Sequence, residues 1–175
     1  MISSVTAQWS DLCQALAKRF WPGPLTIIAP KHPSLNSKIT SGLDTVGVRL
    51  PSHSVAQALI KKVGVPLAAP SANKFKKTSP TTASHVFHEF AGEISVIEGH
   101  DCEVGLESTI VYPTQEAIYI YRPGMISADD LKACTGIKVV EGNSPVAPGQ
   151  MKDHYQPLIP FTLLSEGMER PKDSV

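Results

Sequence analysis

The sequence predicts an α/β fold, a twisted mixed sheet with flanking helices and an open ligand cavity. Three observations point to the class. Apolar runs of strand length alternate with stretches of helical spacing along most of the chain. Two β-rich runs, Ser108–Tyr112 and Ala117–Tyr121, face each other across a short proline-containing turn, which adds an antiparallel pair and so makes the sheet mixed. The chain has 175 residues and is 42% hydrophobic, enough for one domain with a proper core.

In chain order, Ser10 can cap a helix running to Phe20, with Leu12, Leu16 and Phe20 on one face. Trp21-Pro22-Gly23-Pro24 ends it. Leu25–Ala29 reads as a buried strand, and Lys31–Gly42 as a polar loop. Asp44–Leu50 is a second strand, with Val46, Val48 and Leu50 alternating against Thr45, Gly47 and Arg49. Ser52 or Ser54 caps a helix that turns Val55, Ala56, Leu59, Ile60 and Val63 inward. A strand over Val65–Ala69 follows, then a polar loop, then a helix from Thr81 or Thr82 with Val86, Phe87 and Phe90 on one face. Ile94–Glu98 is expected as a strand, and Gly99–Glu107 as a turn-rich link. After the β pair, Ser127 and Asp130 form an acidic variant of a capping box for a helix to Cys134, and Lys138–Val140 is a last short strand. From Asn143 the composition turns to proline, glycine and polar residues, which divides the chain into a domain over 1–142 and a linker or tail over 143–175. Within that tail Pro160–Leu164 has the composition of a further strand.

Charge and cysteine usage narrow the function. Lys plus Arg and Asp plus Glu are 16 each, so no strong basic excess drives non-specific nucleic-acid binding, although a local basic pocket remains open. Three scattered cysteines fit reduced thiols, and no CxxC or HxxxH spacing marks a zinc site. No signal-peptide pattern and no apolar run near about 18 residues is found, so the expectation is a cytoplasmic protein with no membrane association.

Candidate chemistry gathers at four places. The loop within Leu67–Thr81 carries Ser71, Asn73 and Ser79 with Lys74, Lys76 and Lys77, groups that suit an anionic or phosphorylated ligand at the carboxyl end of a strand. A capped, solvated loop is the plainer reading of the same residues. Arg49 shares a strand face with Thr45 and Gly47, where a guanidinium can grip a carboxylate or phosphate, or simply meet solvent or a salt-bridge partner. Gly105-Leu106-Glu107-Ser108-Thr109 can form an anion nest near its glycine, but Ser-Thr is also ordinary strand composition. Arg122-Pro123-Gly124 either aims a guanidinium into a pocket or only ends a hairpin. His85 and His88 lie three apart on one helix and are expected to be exposed. No P-loop, GxGxxG or evident nucleophilic triad is present.

Taken together, Phe20–Ile28 FWPGPLTII, Thr45–Pro51 TVGVRLP, Ala68–Asn73 AAPSAN with Thr78–Thr81 TSPT, Val104–Val111 VGLESTIV and Tyr121–Gly124 YRPG resemble, in order, the YrdC-like domain of threonylcarbamoyl-AMP synthases. The resemblance covers roughly Phe20 to Val140, and APGQMKDHY resembles the linker of the longer, two-domain members. It implies an L-threonylcarbamoyladenylate synthase, a nucleotidyltransferase. ATP, L-threonine and bicarbonate would give threonylcarbamoyl-AMP and pyrophosphate, with Mg²⁺ accompanying the nucleotide. The product would pass to a downstream threonylcarbamoyl transferase that modifies tRNA, and contact with tRNA, a double-stranded RNA, is a further implication. Carried over by position, the resemblance puts Arg49, Ala69 and Ser108 on threonine. It puts Thr45, Ser71, Asn73, Ser79, Arg122 and Tyr155 on the nucleotide. No metal ligand and no catalytic residue is assigned. Two departures stand out. Lys74-Phe75-Lys76-Lys77 occupies a loop position where many members carry glycine. The family's Pro-Thr-Asp-Thr-x-Tyr-Gly-Leu and Lys-x-Arg motifs are not among the twenty residues before Trp21, which implies an N-terminally incomplete domain, and the C-terminal domain of the longer members is not seen. The alternative is a non-catalytic nucleotide- or RNA-binding module on the same scaffold.

Overall fold

The computed structural model describes residues 1–74 and 77–141. Lys76, Tyr155, the expected linker over 143–175 and the strand expected at Pro160–Leu164 lie outside the described residues.

Helix α1, Asp11–Phe20, begins where Ser10 Oγ accepts the Cys13 N–H, and it buries Cys13, Leu16, Ala17 and Phe20 as its spacing requires. A turn at Trp21–Pro24 leads into β1, Leu25–Pro30. Gly23 is required there because a Cβ would strike the Phe20 carbonyl. Strand β2, Thr45–Val48, pairs antiparallel with β1. Helices α2, Ser54–Val63, and α3, Ala83–Glu89, follow. Strand β3, Thr109–Pro113, lies parallel to β1, and β4, Ile118–Arg122, returns antiparallel to β3. Helix α4, Ala128–Thr135, opens on the expected Ser127–Asp130 capping box and leads to β5, Val139–Glu141, parallel to β4. The sheet order is β2-β1-β3-β4-β5, a mixed sheet.

Helices α1 and α4 pack together on one face of this sheet. Leu16 and Leu131 from the helices meet Leu25, Ile27, Val111 and Ile118 from the strands, all fully buried. Each such side chain contributes about 1.5–3 kcal/mol through removal from water. The alternate residues, among them Thr26 and Tyr119, point to the other face and stay partly accessible. That open face carries Thr26, Ser108 and Arg122.

The middle of the chain departs from expectation. No strand forms at Val65–Ala69 or Ile94–Glu98. Val65 is 55% and Ile97 66% exposed, so neither run has the partner a strand needs to pair its backbone and cover its side chains. Pro66 also removes one ladder donor from the first run. The reading of strand, loop and helix around Leu67–Thr81 therefore holds only for the loop and the helix. Helix α2 buries none of its residues, and Leu59, Val63 and, on α3, Phe87 face solvent instead of turning inward. His53, not Ser52 or Ser54, is the residue at the α2 N-cap, and its side chain makes no cap bond. In β2, Leu50 falls beyond the strand end and is exposed.

Candidate functional site

Topology brings four chain segments to one end of the sheet. Strands β1 and β3 start there because they run parallel, and β2 and β4 end there because each is antiparallel to one of them. Gly23, Arg49, Ser108 and Arg122 consequently become neighbours although they span a hundred residues of sequence. This is the amino end of β1 and β3 and the carboxyl end of β2 and β4.

Each guanidinium is aimed by its own Nε. Arg49 Nε donates to the Gly23 carbonyl at 3.0 Å, and Gly23 N–H donates to the Leu50 carbonyl at 2.9 Å, so the Trp-Pro-Gly-Pro turn and the end of β2 hold each other. Arg122 Nε and Nη2 donate to the Ser108 carbonyl at 3.1 and 2.9 Å, and Nη2 also reaches Ser108 Oγ at 3.0 Å. A register shift between Ile110 and Val111 explains why Arg122 arrives there. Val111 pairs with Ile120 but Ile110 pairs with Arg122, so the extra residue in β4 moves Arg122 from the core parity to the open face. Ser108 is buried, and its Oγ lies 2.8 Å from Thr26 Oγ1. Gly124 fits between the Glu107 carbonyl and the Thr109 amide, where a Cβ would come within 2.6 Å of both.

The two arginines feel one another. Arg49 as a whole is exposed, yet its guanidinium is pushed below its ordinary pKa, first by partial desolvation where it meets the turn and second by the like charge of Arg122. Two cations held close, each fixed to a backbone carbonyl, make a receptor for a carboxylate or phosphate. The Thr109 N–H donates to the Pro24 carbonyl, so that amide of the expected nest is already spent.

A second feature lies around Asn73 and Ser79. They line a cavity of about 370 Å³ with Thr78, Thr81, His85 and Glu89. Asn73 Nδ2 donates to the carbonyls of Lys74 and Lys77 at 2.9 and 3.0 Å, which fixes the loop on itself. Asn73 Oδ1 is buried and has no donor among the described residues. Ser79 Oγ donates to Glu107 Oε1 at 2.7 Å, and the Cys102 N–H donates to the Thr81 carbonyl at 2.9 Å, so the loop is clasped by the segment that leads into β3.

The other expected residues are placed elsewhere. Thr45 opens β2 opposite Pro30, at the far end of the strand from Arg49, about 13 Å away at ~3.3 Å per residue. Ala69 and Ser71 lie on the exposed irregular segment before the loop. Lys74 is exposed, Lys77 half-buried, and His85 and His88 are exposed. Sequence reasoning did not single out Thr26, whose signal was a lone hydroxyl on the alternate face of an apolar run, nor Gly23, whose signal was the tight proline-flanked turn.

Fold and site together define an α/β domain with two arginines, Arg49 and Arg122, gathered at one end of its mixed sheet. Residues 1–124 match the family described as "Telomere recombination", the Sua5/YciO/YrdC family. The chain belongs to that family. The threonylcarbamoyl-AMP synthase of Bacillus subtilis (strain 168) is 38% identical over 177 residues, covering 97% of this chain and 51% of that protein. The enzyme of the same name from Pyrococcus abyssi (strain GE5 / Orsay) is 41% identical over 170 residues, 93% of this chain and 49% of that one. The chain thus spans about half the length of these relatives. The crystal structure of P. abyssi Sua5 complexed with L-threonine superposes with a TM-score of 0.81 at 38% identity, covering 89% of this chain and 48% of that one. Escherichia coli YciO, at 19% identity and a TM-score of 0.64, shares the fold.

Among the described residues no helix is long and apolar enough to cross a membrane.

Proposed function

We propose that this chain forms the threonine and nucleotide site of a threonylcarbamoyl-AMP synthase acting in the cytoplasm. The observation that supports the reading is that Arg49, bonded to Gly23, and Arg122, bonded to Ser108, stand at one end of the sheet within range of each other's charge. Arg49, with its Nη groups beyond the bond to Gly23, holds the threonine carboxylate, and Ser108 Oγ lies beside it. Arg122 draws the nucleotide phosphates to the same end. The threonine amine forms an N–C bond to bicarbonate as a C–O bond breaks and water leaves with the amine proton, and the resulting carbamate oxygen attacks the α-phosphate of ATP. A P–O bond forms there as the bond to the β-phosphate bridge breaks, and pyrophosphate leaves with its electron pair. The protein's share is positioning and charge stabilisation, which two fixed guanidiniums supply without a nucleophilic side chain. Thr45, Ala69, Ser71 and Tyr155 belong to this reading as further contacts, each to be tested separately.

Mg²⁺ fits as a companion of the nucleotide. Among the described residues no group of three or more His, Cys, Asp or Glu is built to cage an ion, whereas Mg²⁺ on a triphosphate is held largely by phosphate oxygens and water. When bound it neutralises phosphate charge. The product then passes to a transferase that modifies tRNA.

The test is release of pyrophosphate from ATP and Mg²⁺ by the full chain, with and without L-threonine and bicarbonate. Release that requires threonine supports the reading. Nucleotide binding with no release in any mixture would favour a non-catalytic nucleotide-binding module.

A further inference from the structure

Strand β2 is an edge of the sheet, and among the described residues it pairs only with β1. Thr45 lies opposite Pro30 and Val48 opposite Ile27, and the Lys31 N–H donates to the Asp44 carbonyl. In an antiparallel ladder bonded and non-bonded pairs alternate, so Asp44, Val46 and Val48 turn their backbone groups toward β1. The N–H and C=O groups of Thr45 and Gly47 then point outward, and no bond to them forms among the described residues. An open row of backbone groups is a template for another strand, which proteins blunt with lysine, proline, charge or a bulge. The other edge, β5, carries Glu141 within its three residues. Strand β2 reads Thr-Val-Gly-Val, with no such device inside it. Val46 and Val48 share a face with the buried Ala29 and Ile27 yet stay half-buried, and Gly47 is exposed. Leu43 and Leu50, on either side of the strand, are 38% and 37% exposed.

We propose that this edge is a dimer interface: two copies of the chain pair their β2 strands antiparallel about a two-fold axis at Val46, which joins the two sheets into one. The occupant is a second copy because the edge complements itself. Thr45 of one copy faces Gly47 of the other, each such pair exchanges two N–H···O bonds, and every outward group of β2 is satisfied. Val46 meets its own counterpart across the axis. The acidic start of the strand, Asp44, comes beside the basic end, Arg49, of the other copy. The chain has 16 acidic and 16 basic residues, so two copies meet without net repulsion. Helix α2, which leaves the end of β2, adds the exposed Leu59 and Val63 to Leu43 and Leu50, apolar area toward the about 800 Å² per partner that a standard interface buries. The proposal is independent of the synthase reading.

Sedimentation velocity of the full chain over a range of micromolar concentrations tests it, using wild type, Thr45→Pro and Val46→Lys. Wild type should sediment at twice the chain mass. Thr45→Pro removes an outward N–H and leaves the β1 ladder intact, so two symmetry-related bonds are lost and the dissociation constant should rise about tenfold or more. Val46→Lys sets like charges opposite each other and should give monomer. Should Val46→Lys not fold, Thr45→Pro alone carries the same expectation. Val46→Cys under mild oxidation tests the register, in a Cys102→Ser background because Cys102 is exposed. Facing residues of a non-bonded pair stand about 4.5 Å apart at Cα, within disulfide reach, so a covalent dimer should form. Wild type that stays monomeric at every concentration overturns the proposal. So does a dimer that Thr45→Pro leaves intact, or one in which Val46→Cys forms no cross-link. Open-ended association in place of a dimer overturns the two-fold closure.

Discussion

Ser108 is where single atoms matter most. Its Oγ accepts from Arg122 Nη2 and shares a proton with Thr26 Oγ1, all within a buried setting. Ser108→Ala leaves two polar groups with one partner fewer, and unsatisfied buried groups cost about 1–3 kcal/mol. The expected outcome is a loss of unfolding free energy of that size in denaturant titration, together with weaker threonine binding. Loss of stability with threonine affinity intact would make Ser108 a structural residue only. Leu16 tests the other face of the sheet. It is fully buried against the strands, and Leu16→Ala should destabilise by about 2–5 kcal/mol in urea unfolding with no ligand-specific effect. Part of this detail was legible in the sequence. The alternation of Thr45, Gly47 and Arg49 against apolar neighbours showed that Arg49 leaves the core face. The facing of Arg122 was not legible, because the register shift beside Ile110 reverses its parity, and a bulge leaves no mark in residue type. The Ser79–Glu107 bond joins residues 28 apart across two loops, a distance local reasoning does not bridge.

At the scale of elements, helix α4 provides a pH test. Hydrogen bonds from the Ser127 side chain and backbone hold the Asp130 carboxyl below its ordinary pKa. A carboxylate with a depressed folded pKa adds stability above its unfolded value near 3.8, and that stability is lost as pH falls through the lower folded value. Ser127→Ala should therefore lower Tm at pH 7 and flatten the fall of Tm below about pH 4, measured by thermal melts across pH. An unchanged acid limb would remove the capping box from the account. The hairpin end makes a second test. Gly124 is enclosed by the backbone at Glu107 and Thr109, so Gly124→Ala must push the start of β3 away from Arg122. Weakened anion binding at 25 °C, beyond any fall in Tm, is the expected result of a titration with pyrophosphate. Helices α1 and α4 were readable because capping and periodicity are local properties. The strands expected at Val65–Ala69 and Ile94–Glu98 were not, because a strand is a property of a pair, and an apolar run with no neighbour has nothing to bond.

For the molecule as a whole, the packed part is the sheet with α1 and α4, while α2, α3 and the runs around Val65 and Ile97 keep large apolar side chains in water. The first part should resist exchange and the second should not. Hydrogen exchange is expected to protect amides of β1, β3 and β4 by orders of magnitude over those of residues 64–72 and 93–106, as few buried contacts and exposed backbone imply. Uniform protection would mean the middle of the chain packs more tightly than its exposure indicates. The mixed sheet was legible at this scale because the alternation of element types sets it, and the site's position at the amino ends of β1 and β3 was not, because it depends on which strands become neighbours. The central claim is that Arg49, standing beside Arg122, grips the threonine carboxylate. Calorimetric titration of L-threonine into wild type and Arg49→Ala, at matched Tm, tests it most directly. An ionic hydrogen bond of about 1.5–3 kcal/mol predicts a loss of roughly ten- to a hundredfold in Arg49→Ala. Equal threonine affinity in the two proteins would contradict the claim.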